Sequence, residues 1–176
     1  VNGGELRWLV LPVVALSAAM PAPAAVYLSI EQAQQLMFGS TPLAALSITL
    51  TPAQIAAIEQ RSGVPVHSPT LQVWKAPNGF FLVDAVIGKH DLITYAVALS
   101  AQGVVRGVEV LEYREAYGSE IRLPRWRAQF TGKHPGDALR VGQDIQGISG
   151  ATLSCAHVTE GIRRLLVTYD VALRDA

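Results

Sequence analysis

Between Leu71 and Leu111 the apolar positions fall into four β-like stretches, two that alternate with a two-residue period and two that are nearly continuous apolar runs. Leu71 to Lys75 sets Val73 in the opposite phase to Gln72 and Trp74. Phe80 to Ile87 is apolar enough for a buried strand, and Leu92 to Leu99 forms another such run. Val104 to Leu111 alternates again through Val108 and Val110. Turn chemistry separates these runs. In Pro77-Asn78-Gly79 the proline presets φ, and Asn-Gly accepts a positive φ. Ala101-Gln102-Gly103 makes a second tight connection. The pattern predicts three or four consecutive antiparallel strands, a meander.

On either side the period changes to that of a helix. Ser29 to Met37 reads as a short helix capped by Ser29, with Leu36 and Met37 on its apolar face. Thr51-Pro52-Ala53-Gln54 combines a cap hydroxyl, proline at the first helical position and glutamine at the third, a capping box. Ile55 and Ile58 continue that helix, and Gly63 is placed to end it in a left-handed conformation. Arg125 to Phe130 reads as one or two helical turns. From about Leu153 to Val171, Val158, Ile162, Leu165, Leu166 and Tyr169 form one stripe, with Arg163 and Arg164 off it. Helices around an antiparallel meander predict an α+β fold, with one domain over 26–176.

Composition narrows the function. Half of the 176 residues are hydrophobic, enough for a real core, and 14 basic residues balance 14 acidic ones. The charges are interspersed, so the chain has no basic field for a nucleic-acid backbone. A lone cysteine, Cys155, makes neither an internal disulfide nor a zinc site and reads as a small buried hydrophobe. His67, His90, His134 and His157 form no pair at ligand spacing, so no metal site is expected. At the N-terminus, Trp8 to Met20 is uncharged and apolar after Arg7, and Ala22-Pro23-Ala24 fits the small-x-small cleavage rule. Residues 1–25 therefore read as a signal peptide or, uncleaved, as a membrane anchor. Either reading puts the remainder in the periplasm or on the extracytoplasmic face of the membrane.

The segment with unusual chemistry is Asp144 to Ser154, DIQGISGATLS. Ser149, Gly150, Ala151 and Thr152 are all small and stand just before the long amphipathic stripe. Gly147 and Gly150 let the backbone bend tightly, and free amides at the following helix start would face an anion. Thr152 and Ser154 add hydroxyls beside those amides. Two readings stay open on spacing alone. In one, Ser149, Thr152 or Ser154 caps the helix; in the other, the segment seats a phosphate.

This stretch resembles the flavinylation motif of the FMN-binding domain family. That family includes the C subunit of the sodium-translocating NADH:quinone reductase and the G subunit of the related electron-transport complex. Asp144, Ser149, Gly150, Ala151 and Thr152 match its motif, with a longer Asp-to-Ser spacing than its tightest form. The resemblance implies that Thr152 carries FMN through a phosphoester bond, installed by a separate flavin transferase that uses FAD. It extends over about Leu71 to Leu166. VVRGVEVLEYRE ends at Glu115 and is followed by Ala116-Tyr117-Gly118, similar to the family's strand, glutamate and glycine turn. Family members often carry proline where this chain has Tyr117. Trp126 and Phe130-Thr131-Gly132-Lys133 are similar to the segment that follows.

The implied role is that of an electron carrier between membrane or periplasmic donor and acceptor proteins, rather than a stand-alone enzyme. Threonine is a poor nucleophile without an activating base, and none stands nearby in sequence, so the chain reads as the transferase's substrate. Tyr95, Tyr113, Tyr117 and Trp126 are the candidates for the flavin's aromatic bed, with Tyr117, Gly118 and Trp126 in the family-like segment; ordinary core packing is the alternative for each. Glu115 is the charged candidate, or else a solvated strand-end carboxylate; Lys89, His90 and Asp91 read as a solvated turn. No Gly-x-Gly-x-x-Gly fingerprint supports direct NADH oxidation, and neither Ser149 nor Ser154 sits in a hydrolase elbow. The remaining alternatives are a sensory or assembly subunit that holds FMN non-covalently and a structural subunit without flavin.

Overall fold

A computed structural model describes residues 25–115 and 117–175. The segment read as a signal peptide or anchor thus lies outside the described residues, apart from Ala25. Among the described residues six strands form one sheet: β1 (Ala25–Val26), β2 (Ala44–Thr49), β3 (Thr70–Ala76), β4 (Gly79–Ile87), β5 (Leu92–Ser100) and β6 (Val105–Tyr113). Their order is β1-β6-β5-β4-β3-β2, and every pair is antiparallel. β2 to β6 are therefore a pure meander. The sequence pattern supplied β3 to β6 and missed β2, an edge strand with no fully buried residue. Burial on one face is what makes alternation legible, and β2 has little of it.

Among the described residues four α-helices flank the sheet: α1 (Ile30–Phe38), α2 (Pro52–Ser62), α3 (Pro124–Arg127) and α4 (Thr152–Thr168). Both expected caps are present. Ser29 caps α1 and Thr51 caps α2, each in a complete capping box, and Gly63 ends α2 at φ +68°. Because β4 and β5 are central strands, both of their faces are buried. Phe80, Leu82 and Val86 with Ile93, Tyr95 and Val97 face α4, where Val158, Ile162, Leu165 and Leu166 meet them. Phe81, Val83, Ala96 and Ala98 face the other way and meet Ala33 and Phe38 of α1. Each fully buried aliphatic side chain contributes about 1.5–3 kcal/mol, so the α4 stripe is a major source of stability.

α4 sits close to the sheet because Gly161 has no side chain. A Cβ there would lie 2.1 Å from Tyr95 Oη and 2.9 Å from Val86 Cγ1. The structure corrects one expectation on this helix. Arg164, read as lying off the buried stripe, is only 5% exposed. Its guanidinium donates to Asp84 Oδ2 at 2.7 Å and to the Pro65 carbonyl at 2.7 Å. A charge is tolerated in such a place when it is paired and hydrogen-bonded. Among the described residues no helix is long and apolar enough to cross a membrane.

Candidate functional site

The loop that leads into α4 is pinned along its length. Asp144 accepts from the Arg140 amide at 2.8 Å, the Leu139 amide at 3.1 Å and Lys133 Nζ at 2.9 Å. Partial burial pushes its carboxyl upward, but these donors outweigh that and bring it down to about 2. The same bonds hold Leu139 at φ +43°, a strained angle for a leucine, with its side chain buried. Asp144 therefore organises the loop, and its carboxylate is used there. Trp126 acts similarly. Its ring is 3% exposed, edge-on to Phe130, and its indole N–H donates to the Gln146 carbonyl at 2.8 Å. Gln129 accepts from the Gln146 amide at 2.7 Å. Trp126 thus anchors the loop from behind.

Beyond Gln146 the chain makes a turn closed by the Ala151 amide donating to the Ile148 carbonyl at 3.0 Å. Gly150 occupies it at φ +86°, which glycine adopts freely. Ser149 and Gly150 are exposed, Ala151 is buried, and α4 then begins. No side chain caps it: the N-cap residue is Ala151, and Thr152 is the first helical residue. Its first amides consequently have no side-chain acceptor, although α4 is 17 residues long. Thr152 is exposed, and it is the hydroxyl next to these amides.

Ser154 points elsewhere. Its hydroxyl is buried and lies 3.0 Å from Tyr113 Oη. Tyr113 also donates to the Tyr117 carbonyl. Burial pushes the Tyr113 phenol up, and the bond to Ser154 only partly opposes this, so Tyr113 stays protonated as a structural donor. Tyr113 reaches Ser154 because of an irregularity in β6. Tyr95 pairs with Val110 but Thr94 pairs with Glu112, so Leu111 is an extra residue. Such a bulge shifts the alternation by one and turns Tyr113, opposite Ile93, toward α4. Gly118 completes the joint. At φ +93° it packs so closely that a Cβ would lie 2.7 Å from Tyr113 Oη and 3.1 Å from Ala151 Cβ.

The structure thus brings Ser149, Gly150, Ala151, Thr152, Ser154, Tyr113, Tyr117 and Gly118 together at one corner. Tyr117 is 85% exposed there, and Leu153 is 44% exposed beside Thr152. Tyr95 is not part of the corner; it is fully buried and bonded to Asp84. Glu115 adjoins it but is turned to the Gly88–Asp91 turn, where Oε1 accepts from the His90 amide at 2.5 Å and the Asp91 amide at 3.0 Å. Burial opposes ionisation of Glu115, yet these amides win and hold its carboxyl below the ordinary value. Cys155 is buried, and burial pushes its thiol up, which makes it unreactive. Sequence reasoning gave no signal for the Tyr113–Ser154 joint, because a bulge does not show in alternation.

A cleft of about 550 Å³ opens elsewhere, where β3 and β4 diverge. Leu71, Asp84, Ile87 and Arg164 are among its walls, and none of residues 149–154 lines it. The corner, by contrast, presents bare helix amides beside the exposed Thr152.

Residues 88–167 match the family model described as FMN-binding domain, in keeping with the resemblance carried by Asp144 to Thr152. The matched stretch begins at Gly88 rather than Leu71, so it takes in β5, β6, the corner and most of α4 but not β3 or β4. The search of curated proteins found no match.

Proposed function

With residues 88–167 belonging to the FMN-binding domain family, we propose that the chain carries FMN covalently on Thr152 and passes electrons between partner proteins. One observation carries the covalent reading: α4 starts at Ser-Gly-Ala-Thr with no side-chain cap, and the Thr152 hydroxyl stands exposed beside its open amides. A phosphodiester joining Thr152 Oγ to the ribityl chain of the flavin would place its free oxygens where a cap oxygen normally sits. The helix dipole there favours a negative group by about 0.3–1 kcal/mol.

Thr152 takes part in the attachment as a nucleophile only when another protein supplies the base. The imidazole nearest in sequence, His157, is engaged with the carbonyls of Ile87 at 2.6 Å and Gly88 at 3.0 Å. Attachment then forms the Oγ–P bond as the pyrophosphate bond of FAD breaks. AMP leaves, and the hydroxyl proton passes to the transferase. The chain's own residues do the rest. Trp126, Gln129 and Asp144 keep the loop rigid, and Gly118, Tyr113 and Ser154 tie the 117–118 segment against the helix start. Tyr117 offers an exposed ring to one side of the cofactor. FMN supplies the redox chemistry when bound.

By this reading the chain is an electron carrier, with 26–176 as its domain. An export segment at residues 1–25 would place it outside the cytoplasmic membrane, next to membrane or periplasmic donors and acceptors. The test is co-expression with a flavin transferase, followed by denaturation and removal of small molecules. Yellow colour and flavin fluorescence that stay with the denatured chain support the covalent reading. Colour released on denaturation would instead favour a subunit that holds FMN non-covalently.

A further inference from the structure

We propose that the Gly88–Asp91 turn is the second wall of the flavin site, that Lys89 on it supplies positive charge to the cofactor, and that Glu115 is the positioning residue holding the turn in place. This rests on FMN being carried at Thr152. The contacts around the corner close into a ring. Gly118 lies against Ala151, at the start of α4. One and a half turns along that helix, His157 Nδ1–H donates to the carbonyls of Ile87 and Gly88. The turn itself is closed by the Gly88 amide donating to the Asp91 carbonyl at 2.8 Å. Glu115 Oε1 then binds the His90 and Asp91 amides, and two residues later the chain reaches Tyr117 and Gly118 again. Leu153 and His157 are four residues apart, so they share a helix face, and it is the face turned toward Gly88. An isoalloxazine ring tethered at Thr152 has this perimeter to lie within.

The local chemistry explains each residue on that wall. Gly88 leaves room for the Glu115 carboxylate, because a Cβ there would sit 2.6 Å from Glu115 Oε1 and displace it. Glu115 spends an oxygen on main-chain amides, so it acts on the turn rather than on the ring. Lys89 is exposed and makes no ion pair among the described residues. A cation at the edge of a flavin favours its electron-rich form and so raises the midpoint potential.

The experiment is spectroelectrochemical titration of the flavinylated holoprotein and its variants, each checked for the added mass of FMN. Lys89→Gln lowers the midpoint potential. Glu115→Leu also lowers it, although a negative charge has been removed, because the turn and its lysine are released. Glu115→Gln keeps an acceptor oxygen for the two amides and shifts the potential less than Lys89→Gln does. An unchanged potential in Lys89→Gln overturns the proposal, as does a raised potential in Glu115→Leu, which would mean that Glu115 acts on the flavin directly. A wild-type protein without the FMN mass would overturn the attachment reading itself, so the two failures are distinguishable.

Discussion

Two threonines stand at two helix starts, one residue out of step. Thr51 is the N-cap of α2: its hydroxyl accepts from the Gln54 amide at 3.2 Å, and Gln54 Oε1 accepts from the Thr51 amide at 2.9 Å. Thr152 is the first helical residue of α4, with alanine in the cap position and no side chain on the amides. At α2 the hydroxyl is spent on structure. At α4 it is left exposed, and a longer helix goes without its cap. The α4 start leaves about 1 kcal/mol of capping unmade with an exposed threonine beside it, and the proposed attachment rests on that contrast. The surrounding loop shows the same bias. It is held by Asp144, Trp126 and Gln129, which fix the backbone without touching the Thr152 hydroxyl.

The largest test of this contrast is chemical. After co-expression with the transferase, Thr152→Ala abolishes flavin attachment completely, while Thr51→Ala leaves it intact; fluorescence in a denaturing gel reads both. Next in size are the glycines of the corner. Gly118→Ala loses about 1–3 kcal/mol in urea unfolding, because it forces a side chain into a left-handed angle and against Tyr113 and Ala151. Gly150→Ala meets nothing within 4 Å and loses only the conformational strain, about 1–2 kcal/mol.

Without flavin the contrast reverses. Thr51→Ala costs about 1 kcal/mol of stability because a cap is lost. Thr152→Ala stays within about 0.5 kcal/mol of the parent, because its hydroxyl caps nothing. The smallest effect is the acid limb of stability. Asp144 has a native value of about 2 against an ordinary 3.8, so its contribution is present above the ordinary value. That contribution is lost as pH falls from 3.8 toward about 2. Thermal unfolding of Asp144→Asn should therefore depend less on pH across that window than unfolding of the parent, by a modest amount because the group is partly hydrated.

Much of the molecule was legible before the structure. Alternation located β3 and β6, apolar runs located β4 and β5, capping chemistry located α1 and α2, and the apolar stripe located α4, because each of these signals is local. For Thr152 the spacing left a helix cap open, and the observed N-cap at Ala151 removes that alternative. What was hidden depends on distant partners or on phase. Arg164 is buried because Asp84, 80 residues away, neutralises it. Tyr113 meets Ser154 because Leu111 shifts the strand by one residue. The Gly88–Asp91 turn read as solvated because its hold on Glu115 runs through backbone amides, which the side-chain pattern does not record.

In the proposed function the bare start of α4 holds a phosphoester. Intact mass spectrometry of the chain matured with a flavin transferase tests it most directly. Attachment at Thr152 adds the mass of one FMN less one water, located by peptide mapping to Thr152 and missing in Thr152→Ala. An unmodified mass in the wild-type chain, or the same increase in Thr152→Ala, would contradict it.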